Sequence, residues 1–146
     1  MKPRFPIILS LFFLFPSLSA FSGEYDGSGP LLCTANRIIE VNPLKIIDNI
    51  DPDTVGLPGK FMIDFKNKII RPTKDNVVRR TIAIERIEHV ENKLILQGAE
   101  EGNADDGMGW SMSISKITGK NVLTAAGEEV AYVVFGSCVS AGESGK

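Results

Sequence analysis

The chain has 146 residues, and setting aside the first twenty or so as an export signal leaves about 125 for folding, one domain's worth. With 43% hydrophobic and 23% charged residues, 14 Gly and 8 Pro, it falls among globular rather than disordered sequences. Sixteen Lys and Arg against 18 Asp and Glu give −2; removing Lys2 and Arg4 with the signal leaves 14 against 18, or −4, which argues against a general nucleic-acid binder of the strongly basic kind.

Residues 1–22 carry the three regions of a cleavable secretory signal peptide: basic Lys2 and Arg4, an apolar run from Ile7 to Phe15, then Pro16 and the small residues Ser17, Ser19, Ala20 and Ser22. Cleavage after Ser19 or Ser22 leaves small residues at both recognition positions. The apolar run is shorter than the roughly 20 residues of a spanning helix, so no membrane insertion is expected once the signal is removed. The expected location is secreted or periplasmic.

In an oxidising compartment two cysteines have one possible pairing, Cys33 with Cys138. The competing reading, a metal site, needs three or four convergent ligands, and the chain has a single histidine, His89. The disulfide therefore joins the first strand to the last.

In chain order, residues 23–30 read as a flexible mature N-terminus, rich in Gly, Ser and acid. Leu31 to Val41 is the first strand. Asn42 to Lys60, with Pro43, Pro52, Pro58, Gly56 and Gly59, reads as a long loop holding one helical turn around Leu44 to Ile50. Phe61, Ile63 and Phe65 then alternate with Met62, Asp64 and Lys66, the period of a half-buried strand. Lys66-Asn67 turns the chain into Lys68 to Arg71. Between Val77 and Val90 the alternation through Ile82 and Ile84 slips, since Arg86 stands where an apolar residue is due, and this predicts a β-bulge near Glu85 and Arg86.

Glu91-Asn92-Lys93 turns into Leu94-Ile95-Leu96, and Glu100 to Gly109 is an acidic, glycine-rich loop. Trp110, Met112 and Ile114 alternate with Ser111, Ser113 and Ser115. Two further turns lead to a last strand, apolar on both faces, that ends at Cys138. A single domain over residues 31–139 and a disordered tail over 140–146 complete the organisation.

Roughly eight strands joined by tight turns predict an all-β, antiparallel up-and-down meander. A last strand apolar on both faces is a liability at an open edge, and a first-to-last disulfide removes that edge. The expected architecture is a small barrel of about eight strands, with a flattened sandwich as the alternative. Bulky inward candidates, Phe61, Ile63, Phe65, Ile82, Ile84, Trp110, Met112 and Ile114, are expected to fill its interior.

The export signal together with the segments LLC, FMIDF, LILQG, GW and VVFGSC resembles a group of small secreted bacterial proteins of unknown function. That resemblance implies a barrel-like periplasmic domain and supplies no catalytic residues. In architecture the chain also looks like periplasmic lysozyme and protease inhibitors, which are small disulfide-tied barrels.

Enzymatic chemistry is not expected. His89 is the sole imidazole for a nucleophile's base, no GxSxG elbow occurs, and the acidic pairs lack the aromatic platform of a sugar site. The spacing Glu101-x-Asn103-x-Asp105 begins like an EF-hand, but Asp106 replaces the required Gly and Met112 the final Glu; an irregular calcium site is the residual alternative. No cofactor is expected.

Charge is uneven. Residues 60–86 carry eight cations against three acids, a net of +5, and residues 87–130 carry three against eight, a net of −5. The bland reading is cross-strand pairing on a wetted surface. The functional one is a charged face, Lys66, Lys68, Arg71, Lys74, Arg79 and Arg80, that docks an anionic protein or cell-envelope partner. The expectation is thus an exported, non-enzymatic binding protein of inhibitor-like kind, with a lipocalin-like carrier of a small apolar ligand as the alternative.

Overall fold

The computed structural model describes residues 24–73, 81–100 and 107–142; the signal peptide expected over residues 1–22 and Lys74, Arg79 and Arg80 lie outside the described residues. Ten strands are present, β1 (Leu31–Val41), β2 (Ile46–Asp48), β3 (Lys60–Asp64), β4 (Ile69–Pro72), β5 (Ile82–Ala83), β6 (Arg86–Val90), β7 (Lys93–Glu100), β8 (Met108–Ser115), β9 (Lys120–Ala126) and β10 (Ala131–Ser140). All pair antiparallel in one sheet, in the order β5-β4-β3-β1-β10-β9-β8-β7-β6, with β2 added beside β1. The chain is all-β and its sheet is a strongly curled, barrel-like meander.

Two junctions curl it. At the first, β1 and β10 pair along nearly their whole length, Leu31 opposite Ser140 through Val41 opposite Ala131. The Cys138 N–H donates to the Gly119 carbonyl on the β9 side (2.9 Å), so Cys33 and Cys138 face each other as a non-hydrogen-bonded pair, the closer of the two antiparallel geometries. Their Cα atoms are 4.0 Å apart and the disulfide forms across them, spanning 105 residues of sequence. Both sulfurs face the interior, with Cys33 fully buried and Cys138 nearly so.

At the second junction the two ends of the sheet meet in one stretch of chain. Ile82 and Ala83 pair with Ile70 and Ile69 of β4, and the Ile84 N–H still donates to Lys68 O (2.8 Å). One residue later the Glu85 N–H donates to Gln97 O of β7 (2.9 Å), while Arg86 is the register partner of the same Gln97. Two residues thus oppose one, the bulge expected from the slipped alternation. Its consequence is larger than a kink, because the strand changes partners there, from β4 to β7. Counting β5 and β6 as one interrupted strand, eight positions run around the barrel.

Period-two patterning fills the inside. Leu94, Leu96, Met112 and Ile114 are fully buried, with Leu31, Ile63, Phe61, Ile70 and Ile84 around them, while Ser111, Ser113 and Ser115 alternate outward on β8. Of the residues expected inside, Phe61, Ile63, Ile84, Trp110, Met112 and Ile114 are buried, and Phe65 and Ile82 pack against them half-buried. An eight-position barrel has an interior just wide enough for such side chains. Gly98 stands opposite Trp110 because the indole lies over it. A Cβ on Gly98 would come within 2.7 Å of both the indole Cζ2 and the Ala83 carbonyl oxygen.

One local expectation is corrected. Residues 44–50 form no helical turn; Ile46–Asp48 pair with β1 as β2, since Asn42 Oδ1 accepts from the Leu44 and Lys45 N–H groups (3.1 and 3.0 Å) and tightens the chain into a hairpin. The long loop that follows is fastened to β1 by Ile50 N–H to Ile38 O (3.1 Å) and Ala35 N–H to Gly59 O (2.9 Å). Ahead of β1, Tyr25 packs on the core, and a Cβ on Gly27 would touch Leu94 and Phe65. At the tail, Ala141 N–H donates to Pro30 O (3.0 Å), which ties the two chain ends together.

Two predictions follow from this closure. The double variant Cys33→Ser/Cys138→Ser should lose about 2–5 kcal/mol in denaturant unfolding, and thiol labelling of native protein should find no free cysteine. Gly98→Ala should cost about 1–3 kcal/mol by overpacking, whereas alanine at half-buried Gly29, where nothing lies within 4 Å of a Cβ, should leave the unfolding midpoint unmoved.

Candidate functional site

Antiparallel topology sorts the connections to two ends. The β3–β4, β6–β7 and β8–β9 turns and both chain ends share one, here the turn end. The β1–β3, β4–β5, β7–β8 and β9–β10 connections share the other, the loop end.

Of the six cations singled out from sequence, Lys66 and Lys68 are exposed on the β3–β4 turn. Asp64 holds that turn, its carboxylate accepting from the Asn67 backbone N–H (3.1 Å) and side-chain amide (2.8 Å). Arg71, across the hairpin, approaches the same carboxylate at 3.4 Å. The Asn67 donors first, and the Arg71 charge after them, hold the Asp64 carboxyl below its ordinary value. Lys68 adopts φ 52°, a conformation that this capping keeps in place and that aims its side chain outward. The ion pairs among the described residues are local: Arg37 with Asp48 between β1 and β2, Arg71 with Asp64, and Arg86 with Glu88 (2.6 Å) within β6. His89 is exposed near the end of β6. Among the described residues no group of three or more His, Cys, Asp and Glu could hold a metal, and Glu101 to Asp106 lie outside them.

The outer wall holds a grouping that sequence reading did not assemble. A groove of about 510 Å³ crosses β7 to β10 and the β1 bulge, with Val122 and Phe135 on its floor and Lys93 and Lys120 on its rim. Val122 faces Phe135 and Ser113 in register, and Lys120 faces Ser137. The bulge between Ala35 and Arg37 lets Asn36 reach Ser137 Oγ (3.3 Å) and close one side. Phe135 remains 41% exposed. The lining includes no carboxylate among the described residues. These residues come from five strands, Asn36 and Ser137 being 101 positions apart in the chain, so only register unites them.

At the loop end the interior opens into a cup of about 70 Å³ lined by Phe61, Ile70, Ile82, Trp110, Leu123 and Val134, with Leu57 and Pro58 of the long loop and Glu100 at the strand end. Trp110 is 8% exposed, and its indole Nε1 has no acceptor among the described residues. The cup is less than half the roughly 150 Å³ that holds a benzene.

The chain matches no known family model, no curated protein and no solved structure. What defines its class is the fold itself: a barrel-like β-meander with a packed interior and a disulfide across its first and last strands.

The turn that displays Lys66 and Lys68 has an acid limit. Because the folded Asp64 carboxyl is depressed below the unfolded value of about 3.9, its contribution is present above that value and is lost as pH falls through the folded one. Thermal melts from pH 6 down to pH 2 should fall more steeply for the native protein than for Asp64→Asn, and the two should converge at the acid end.

Proposed function

We propose that this is an exported, non-enzymatic binding protein that engages an anionic protein or cell-envelope partner on its outer wall. The observation that carries this reading is the groove, with an apolar floor of Val122 and Phe135, a rim of Lys93 and Lys120 and no described carboxylate in its lining. An exposed aromatic beside desolvatable cations is the composition of an interface hot spot, and single-sign charge around it steers oppositely charged partners. Lys66 and Lys68, at the same end of the barrel as Lys93 and Lys120, extend the positive field. The disulfide and the N-terminal sequence support export. A filled interior with only a 70 Å³ cup favours surface binding over a lipocalin-like carrier, whose ligand needs several hundred cubic ångströms.

Capture of partners from cell-envelope extract should be strong at 0.05 M salt and weaken markedly by 0.3 M, where the screening length drops below about 10 Å. Lys93→Glu/Lys120→Glu should abolish capture, Phe135→Ser should reduce it, and Lys66→Glu/Lys68→Glu should slow association. The melting temperature of each charge variant should stay within a degree or two of the native protein, as exposed charges contribute about 0–1 kcal/mol. Capture that is indifferent to salt and to these reversals would remove the groove from the mechanism.

A further inference from the structure

The described loop end is acidic, unlike the lining of the groove. Among the described residues there, Glu40, Asp51, Asp53, Glu100, Glu128 and Glu129 stand against Lys45 and Lys60. Within this acidic end sits a strongly apolar recess, and Glu100 is the only charged residue in its described lining.

We propose that the loop-end cup is a second docking site, distinct from the outer-wall groove, and that its occupant is a cationic segment of a partner protein that inserts one branched aliphatic side chain. Size sets the anchor. About 70 Å³ accepts the end of a Leu, Ile or Val side chain and is too small for an aromatic ring or an acyl chain. Charge sets the flanks. Lys or Arg on either side of the anchor would meet Glu100 and, on the long loop that supplies Leu57 and Pro58, Asp51, while an acidic flank would be repelled. The walls are preformed, since Phe61, Ile70 and Trp110 are buried in the core, so little ordering opposes insertion. The site needs nothing from the groove, and it survives if the groove proves inert.

Trp110 is the chain's only tryptophan and lines the cup, so it reports occupancy directly. The test titrates the full-length mature protein with capped Lys-Lys-Leu-Lys-Lys, following tryptophan emission and the NMR signals of the Trp110 indole N–H and the Glu100 and Ala125 amides. Saturable shifts confined to these cup residues are expected. Replacing the peptide's Leu by Ala should weaken binding about ten- to hundredfold, the equivalent of losing one buried leucine side chain, and the Glu-Glu-Leu-Glu-Glu counterpart should bind at least tenfold more weakly. Glu100→Lys, an exposed change that leaves the core intact, should weaken the lysine peptide at low salt. Ala125→Leu, which fills the cup, should weaken both leucine peptides. No saturable response, equal binding of the acidic peptide, or binding unaffected by Glu100→Lys would overturn the proposal. So would cup shifts that follow the protein's own concentration without peptide, which would make the occupant a second copy, seated through the exposed Ile117 between Lys116 and Thr118.

Discussion

The pairing of β1 with β10 is the constraint on which the rest depends. These strands are 105 residues apart at the cysteines, so their ladder carries the largest loop-closure cost in the fold, and the Cys33–Cys138 bond removes much of that cost from the unfolded chain. Once they are joined, both edges of β10 are paired, one with β1 and the other with β9, and no sticky edge is left there. The same junction places the N-terminal segment against the β8–β9 turn, where Tyr25 lies beside Gly119, and so plugs the turn end of the barrel.

The opposite junction is built without a covalent tie. A single strand serves both ends of the sheet by changing partners at Glu85 and Arg86, and the bulge there absorbs the turn in direction. Gly98 and Trp110 meet beside this seam, with the ring occupying the volume that a Cβ would need. Close packing of this kind transmits strain rather than absorbing it. The barrel is therefore rigid around its middle, and its variable surfaces are the two ends and the outer wall.

Those surfaces are electrically different. The described turn end is mixed, with Lys66, Lys68, Lys93, Lys116 and Lys120 against Glu24, Asp26, Asp64 and Glu91, while carboxylates outnumber lysines around the loop end with its apolar cup. Both proposed sites keep their charged groups solvated, where such groups govern association rate and selectivity more than stability.

The sequence by itself determined the strands, the disulfide and the bulge. Alternation at Trp110, Met112 and Ile114 has a period that only a half-buried strand satisfies, two cysteines allow one pairing, and the slip after Ile84 is visible as a misplaced arginine. It did not reveal β2 or the packed N-terminal segment, because their placement rests on Asn42 capping a turn and on Tyr25 finding a cover, and neither leaves a periodic trace. The groove and the cup were decided by tertiary structure alone. Lys93, Lys120, Val122 and Phe135 become neighbours only through the register of four strands, and a one-residue slip in that register would send each of them to the other face. Leu57 and Pro58 reach the cup because the long loop is fastened to β1 at Ile50 and Gly59. Local propensity sets which residues alternate; which faces then meet is set by hydrogen-bond register between segments far apart in the chain, and that is a property of the closed barrel.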